Sequence, residues 1–286
     1  HDSIFHTDGQ LAKGPIALCE VQGYVYAAKN GMAKLAAQLG HDPMAERLTQ
    51  EAAALREKFD AAFWNEEIGT YALALDGAKK QCAVRSSNAG HALFTGIAKP
   101  ERAARVAETL LCKDGFNGWG VRTIAKGEAR YNPMSYHNGS IWPHDNALIA
   151  MGLARYDRKH EAARIFQGMF DTSLYQDQKR LPELFCGFMR RKQRGPVSYP
   201  VACSPQAWAA AAPFAFLAAC LGLELDHEGN SVRLKNPILP GFLDGVTLYN
   251  VKLGGSRLDI RFQRYDDDVT VSVQRRHGDV QVVVTK

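Results

Sequence analysis

Two stretches concentrate residues whose chemistry goes beyond what an apolar core requires. The first is Tyr131-Asn132-Pro133-Met134-Ser135-Tyr136-His137-Asn138-Gly139-Ser140-Ile141-Trp142-Pro143-His144-Asp145. The second is Arg180-Leu181-Pro182-Glu183-Leu184-Phe185, followed by Tyr199-Pro200 and Ser204-Pro205-Gln206-Ala207-Trp208. Each sets aromatic rings, amides, imidazoles or a carboxylate around helix-breaking Pro and Gly. That mixture suits a cleft that stacks on the face of a pyranose and hydrogen-bonds its hydroxyls.

Several side chains have two readings each. Trp142 and Trp119 offer rings to a sugar or pack in the core. His144 and Asp145 can hold hydroxyls, or Asp145 can cap the helix that follows. His137 with His144 and Asp145 could be a metal cluster, but the spacing matches no ligand motif. Glu20, on a predicted helix with Gln22 and Tyr24, is a sugar-binding carboxylate or a buried polar partner. Arg122 clamps a hydroxyl or pairs with Glu20, while Gln206 and Trp208 open a helix at the border of the site. Trp64, beside Phe63, reads as core or rim.

The elements that must position these residues are mostly helical as far as residue 223. Apolar spacing predicts helices over 15–40 and 42–59, one beginning at Ser87-Asn88, and others over 99–112, 142–155, 159–170 and 204–221. Asp42-Pro43 and Lys99-Pro100 mark starts, and Gly40 marks a stop. Residues 69–77 alternate between glycines and read as a short strand or hairpin arm. After Gly222 the period changes to two, predicting strands at 232–234, 246–249, 258–262, 269–273 and 280–284. A small antiparallel sheet with a packing role is expected there, since no constellation of reactive residues stands out.

The 286 residues carry 35 basic and 30 acidic side chains, a net charge of +5, with 46% hydrophobic residues. The basic residues are scattered, with short clusters at Arg190-Arg191-Lys192 and Arg275-Arg276, so a nucleic-acid footprint is not expected. No apolar run reaches the ~20 residues of a membrane span, and His1-Asp2-Ser3 does not resemble a signal peptide. None of the six cysteines falls in a C-x-x-C pair, which fits reduced thiols in a cytoplasmic protein. The sequon at Asn138-Gly139-Ser140 is read as chance.

Both opening stretches resemble the glucosidase domain of glycogen-debranching, amylo-α-1,6-glucosidase-like proteins. So do Gly14-Pro15-Ile16-Ala17-Leu18-Cys19-Glu20-Val21-Gln22-Gly23-Tyr24, Arg85-Ser86-Ser87-Asn88-Ala89-Gly90-His91 and Gly118-Trp119-Gly120-Val121-Arg122-Thr123. The resemblance implies a mainly α fold, an (α/α)6 toroid over residues 1–222 with the site at one end of its inner ring. Residues 223–286 would form a separate β-rich domain. It implies hydrolysis of α-glucosyl linkages in an oligosaccharide or polysaccharide by inversion, without a cofactor, using an acid and a base about 6.5–9.5 Å apart. Glu183 is the base by this resemblance; its competing reading is a helix-start Glu that favours the dipole.

The family's acid is an Asp in a Trp-x-Asp phrase just ahead of the stretch resembling His1-Asp2-Ser3-Ile4-Phe5-His6, so it would precede residue 1. Asp2 and Asp8 follow no Trp and do not inherit the role. Six helical pairs make a toroid and about eight helices are readable, so an incomplete ring is expected. The alternative is a non-catalytic carbohydrate-binding or assembly fragment, and self-association into a homo-oligomer through exposed apolar helix faces is allowed. Other toroid enzymes fit less well: an epimerase wants paired His, and a terpenoid transferase wants Asp-rich metal motifs. The one such run, Asp266-Asp267-Asp268, falls in a predicted β-turn.

Overall fold

Proline opens three of the seven α-helices seen among the described residues, and its fixed φ with no N–H to satisfy explains why. The computed structural model describes residues 2–266 and 268–286; His1 and Asp267, the middle of the Asp run, lie outside it. The helices are α1 (Cys19–Gln38), α2 (Asp42–Phe63), α3 (Asn88–Thr95), α4 (Pro100–Leu111), α5 (Pro143–Arg155), α6 (Lys159–Ser173) and α7 (Ala207–Leu221). Gly96 and Gly222 end α3 and α7 in the left-handed conformation, with φ of 78° and 59°. The count is seven where about eight were expected.

α1, α3, α5 and α7 stand side by side in an inner row, each packed on the next. α2 packs outside α1, α4 outside α3, and α6 outside both α5 and α7. The row is densest in the middle: α5 buries eight of its 13 residues, whereas α1 buries four of 20, so α1 forms an edge. A Cβ on Gly152 of α5 would stand 2.6 Å from the Phe94 backbone nitrogen, so the small residue permits the close approach of α3 and α5.

Short strands brace this row. β1 (Ala17–Leu18), β4 (Ala74–Leu75) and β5 (Gln81–Cys82) form one sheet, and β2 (Trp64–Asn65) pairs with β3 (Thr70–Tyr71). The alternating segment at 69–77 is therefore two arms with different partners. α1 starts at Cys19, later than Pro15 suggested, because Ala17 and Leu18 are drawn into pairing with β4.

The C-terminal part departs further from expectation. β6 (Leu223–Asp226), β7 (Ser231–Lys235) and β11 (Gln281–Thr285) form one sheet, in which β7 and β11 run parallel. β8 (Gly245–Leu253), β9 (Ser256–Tyr265) and β10 (Asp268–His277) form a second, antiparallel sheet. Two sheets replace the single one expected. The short β6, Leu-Glu-Leu-Asp directly after a helix cap, carried too few alternations to read. Val232 and Leu234 meet Leu258, Ile260 and Phe262 in a shared core. Lys159, 3% exposed, joins this part to the helices by donating to the carbonyls of Cys220, Lys235 and Asn236. Burial lowers its pKa to about 8.

Candidate active site

The inner helices all deliver their N-terminal turns to one cavity of about 720 Å³. α1 contributes Glu20 and Tyr24, α3 contributes Asn88 and His91, α5 contributes His144 and Asp145, and α7 contributes Trp208. Leu73, Thr123, Ile124, His137 and Trp142 are among the residues that complete the walls. The helix N-termini present N–H groups and a partial positive charge on this side, which favours carboxylates in their first turns. Glu20 and Asp145 occupy those first turns. A second cavity, of about 330 Å³, lies near the other ends of α3, α5 and α7 beside Arg155 and Lys159, and has no comparable set of groups.

A polar chain crosses the inner row. Tyr24 Oη lies 2.5 Å from His91 Nδ1, and His91 Nε2 donates to Asp145 Oδ1 at 2.5 Å. Burial opposes charge on His91, yet the hydrogen bond and charge of Asp145 hold its pKa above the ordinary value. Burial opposes charge on Asp145 too, and the bond to His91 nonetheless keeps its pKa low. Both directions favour the charged forms of this buried pair. Burial, with the charges of Glu20 and Asp145, pushes the Tyr24 hydroxyl up to about 12. Asn88 Nδ2 donates to Glu20 Oε2 at 2.6 Å, a second crosslink between α1 and α3. Asp145 is at the third position of α5 and serves His91, so it does not act as the helix cap; Trp142 occupies that place.

The segments 131–145 and 180–185 are hydrogen-bonded to each other. Ile141 N donates to Phe185 O at 2.9 Å, and Phe185 N to Ile141 O at 3.0 Å. Leu184 and Phe185, both 0% exposed, anchor the segment, and Glu183 lies in non-helical backbone instead of at a helix start. Its carboxylate accepts from Cys203 N at 3.0 Å and from Tyr136 Oη at 2.7 Å, and those bonds lower its pKa. The same contact to Glu183 is the main reason the Tyr136 hydroxyl rises to about 12.

Tyr136 stands edge-on to both His137 and Trp142, at 4.8 Å each, so Glu183 sits one ring behind the cavity wall. Trp142 is held by its indole N–H on Ser140 Oγ. His144 stacks on Trp208 with ring centroids 4.3 Å apart, and burial lowers its pKa, leaving a neutral imidazole. A neutral imidazole both donates to and accepts from hydroxyls.

The structure thus brings Glu20, His137, Trp142, His144, Asp145 and Trp208 to one cavity, with Glu183 adjoining it. Four other residues singled out in the sequence are elsewhere. Trp119 is 2% exposed, against Tyr175 and under the guanidinium of Arg190. Arg122, 1% exposed, does not pair with Glu20; it donates to the carbonyls of Gly187, Lys113 and Asp114. Gln206 turns its side chain back to the first N–H of α7 as a cap. Trp64 is 9% exposed beneath Arg102. Sequence reasoning missed Tyr24, Asn88, His91 and Tyr136 as site residues. A signal existed for three of them: Glu20 and Tyr24 are four apart, and Asn88 and His91 three apart, each pair sharing one helix face.

Among the described residues, no three His, Cys, Asp or Glu side chains converge as metal ligands, and no helix is long and apolar enough to cross a membrane. All six cysteines are free. No curated protein matches the chain in sequence.

Solved structures do resemble it. A sialidase superimposes with a TM-score of 0.73 at 16% identity over 97% of this chain and 27% of its own. The neutral trehalase of Saccharomyces cerevisiae gives 0.56 at 17% identity over 77% of this chain and 40% of its own. The GH63 mannosylglycerate hydrolase of Thermus thermophilus, in complex with Tris, gives 0.53 at 18% identity over 70% and 45%. These likenesses show a shared fold, and the chain spans less than half of each of those proteins. A family model described as the mannosylglycerate hydrolase MGH1-like glycoside hydrolase domain matches residues 6–188, which include the first three inner helices and Glu183. Over that majority of its length, the chain belongs to the MGH1-like glycoside hydrolase domain family.

Proposed function

We propose that the cavity is the sugar-binding site of an inverting α-glycoside hydrolase and that Glu183 is its general base. The observation that carries this reading is the Glu183 carboxylate, fixed by Cys203 N–H and Tyr136 Oη and kept ionised at neutral pH beside an aromatic wall. An inverting base must be ionised to take a proton from water. Asp145 is held ionised by His91, which suits a residue that binds hydroxyls better than one that donates a proton. The resemblance assigns the acid to an Asp ahead of residue 1. The four inner helices are then four of a toroid's six, and the exposed apolar side chains of α1, among them Val21, Val25, Met32 and Leu35, face where the ring continues. Residues 1–222 would be this toroid part and 223–286 a β-rich domain.

For the substrate, the debranching resemblance favours α-glucosyl linkages, and the family model raises a second class, a small α-glycoside such as mannosylglycerate. The test is hydrolysis of maltooligosaccharides, branched dextrin and mannosylglycerate by this chain and by an upstream-extended polypeptide, each with and without Glu183→Gln. Activity in the extended form that Glu183→Gln abolishes, with the inverted anomer appearing first by NMR, supports the reading. Activity in the short chain would put the acid among its own carboxylates, Asp2 and Asp145 first. Silence from both favours a carbohydrate-binding domain without catalysis.

A further inference from the structure

We propose that the outer face of the β8–β9–β10 sheet is a binding surface for an acidic, carboxylate-bearing polysaccharide, independent of the cleft. Residues 223–286 contain nine basic and nine acidic side chains, so the segment has no excess charge to scatter. Four of the bases are engaged elsewhere. Arg233, Lys235 and Lys286 pair with Asp226, Asp157 and Asp268, and Arg264 donates to the carbonyls of Leu239, Pro240 and Leu243. The other five, Lys252, Arg257, Arg261, Arg275 and Arg276, make no ion pair among the described residues and are exposed on this one sheet; all but Arg276, which is opposite core-facing Leu258, are on its outer face.

Strand register places them. Along β9, Leu258, Ile260 and Phe262 face the core at 0–1% exposure, so Arg257, Asp259 and Arg261 project outward. Lys252, Arg257 and His277 are directly opposite one another on the three strands, a row of about 10 Å at the usual strand spacing. In the next outward row Asp259 faces Arg275. A bulge in β8 between Leu248 and Val251 breaks the ladder there and leaves Tyr249 76% exposed at the lip of a depression of about 890 Å³. A packing role alone does not explain this arrangement, because like charges gathered on one face repel.

The chemistry on the face selects among polyanions. Cations with an exposed phenol beside them suit a sugar ring that carries a carboxylate, since the ring stacks and the acid pairs. Asp259, in the middle, accepts hydrogen bonds, here from Asn250 N at 2.7 Å. Its second oxygen suits a partner rich in hydroxyl donors and penalises an unbroken phosphate backbone. An anionic membrane would call for an inserting apolar surface or an unbroken polybasic cluster, whereas Asp259 interrupts the bases here.

The test uses the whole chain with polygalacturonate as probe, in affinity electrophoresis at rising salt. Retardation that weakens with salt is expected. It should fall roughly tenfold in the Arg257→Ser, Arg275→Ser double variant and also fall in Tyr249→Ala, while thermal melts stay unchanged. The Arg191→Ser, Arg194→Ser pair, on a basic loop of the helical part, should leave it intact. Equal loss in that control pair would mean adventitious charge binding and would overturn the proposal. Equal retardation by neutral dextran, or stronger retention by duplex DNA at the same salt, would overturn it as well.

Discussion

Two polar clusters in the helical part are built from the same residue types and differ in what is left over. Around Trp119, the side chains of Asn117, Asn146 and Arg122 are used internally. Asn117 accepts from Trp119 N and Gly120 N and donates to Phe188 O, Asn146 bonds Val121 on both sides and Trp142 O, and Arg122 is spread over three carbonyls. Around the cavity, Asp145 Oδ2 and His144 Nδ1 are buried and lack a partner. A buried polar atom without a partner costs free energy, so residues that keep such atoms beside a cavity are suited to a ligand's hydroxyls. The first cluster holds loops in place, and the second retains hydrogen-bonding capacity. Polar residues on a glycine-rich loop do not by themselves mark a site.

The sharpest way to break this contrast is to remove its most connected member. Arg122→Met removes a charged donor from three carbonyls, of which Gly187 O keeps Tyr131 Oη, Asp114 O keeps Lys126 N and Lys113 O keeps none among the described residues, and it should destabilise the fold by about 3 kcal/mol in urea unfolding. Sugar affinity of the folded fraction should stay unchanged. A lost affinity at full stability would move Arg122 back into the site.

Asp145 belongs to both categories, since it is ion-paired and also lines the cavity. Asp145→Asn should cost about 2 kcal/mol, with a pH signature. The depressed Asp145 contributes stability that is present above the ordinary carboxyl value of 3.8 and lost as pH falls through its lower folded value. The raised His91 contributes stability that is full below 6.5 and lost as pH rises through its higher folded value. The deficit of the variant should therefore be largest between those two ordinary values and shrink toward alkaline pH. A deficit that does not vary with pH would mean the two groups do not form an ion pair.

How far the sequence foretold this contrast differs between backbone and side chains. Helix positions were legible because Pro43 and Pro100 fix starts and Gly40 fixes a stop, local effects that need no tertiary knowledge. That Trp142, His144 and Asp145 share a cavity was legible from their density in one phrase. Arg122 and Trp119 misled because their phrase is as polar and glycine-rich as the others. What separates them is the carbonyls of Gly187 and Phe188, about 65 residues later in the chain, and no local pattern reports that pairing. The basic sheet face was hidden for a related reason: Arg257 and Arg275 become neighbours only through register.

Trp208 tests the other side of the contrast, a residue that is used little by the fold. It is 44% exposed and stacks on His144 by one face. Trp208→Ala should lower affinity for maltooligosaccharides roughly tenfold, read by titration calorimetry, with stability changed by less than about 1 kcal/mol. Unaltered affinity would place the sugar away from α7.

The smallest expected effect tests Glu183 itself. Two donors hold its carboxylate ionised, Cys203 N–H foremost and Tyr136 Oη second. Tyr136→Phe keeps the ring against Trp142 and removes only the second donor. The Glu183 pKa should then rise toward the ordinary carboxylate range without reaching it, because the Cys203 bond persists. A general base loses activity as pH falls through its pKa, so the acidic limb of kcat/KM should move to higher pH. The alkaline limb, set by the proton donor, should stay in place. A shift of the alkaline limb alone would mean that Glu183 titrates as the acid and that the roles proposed here are reversed.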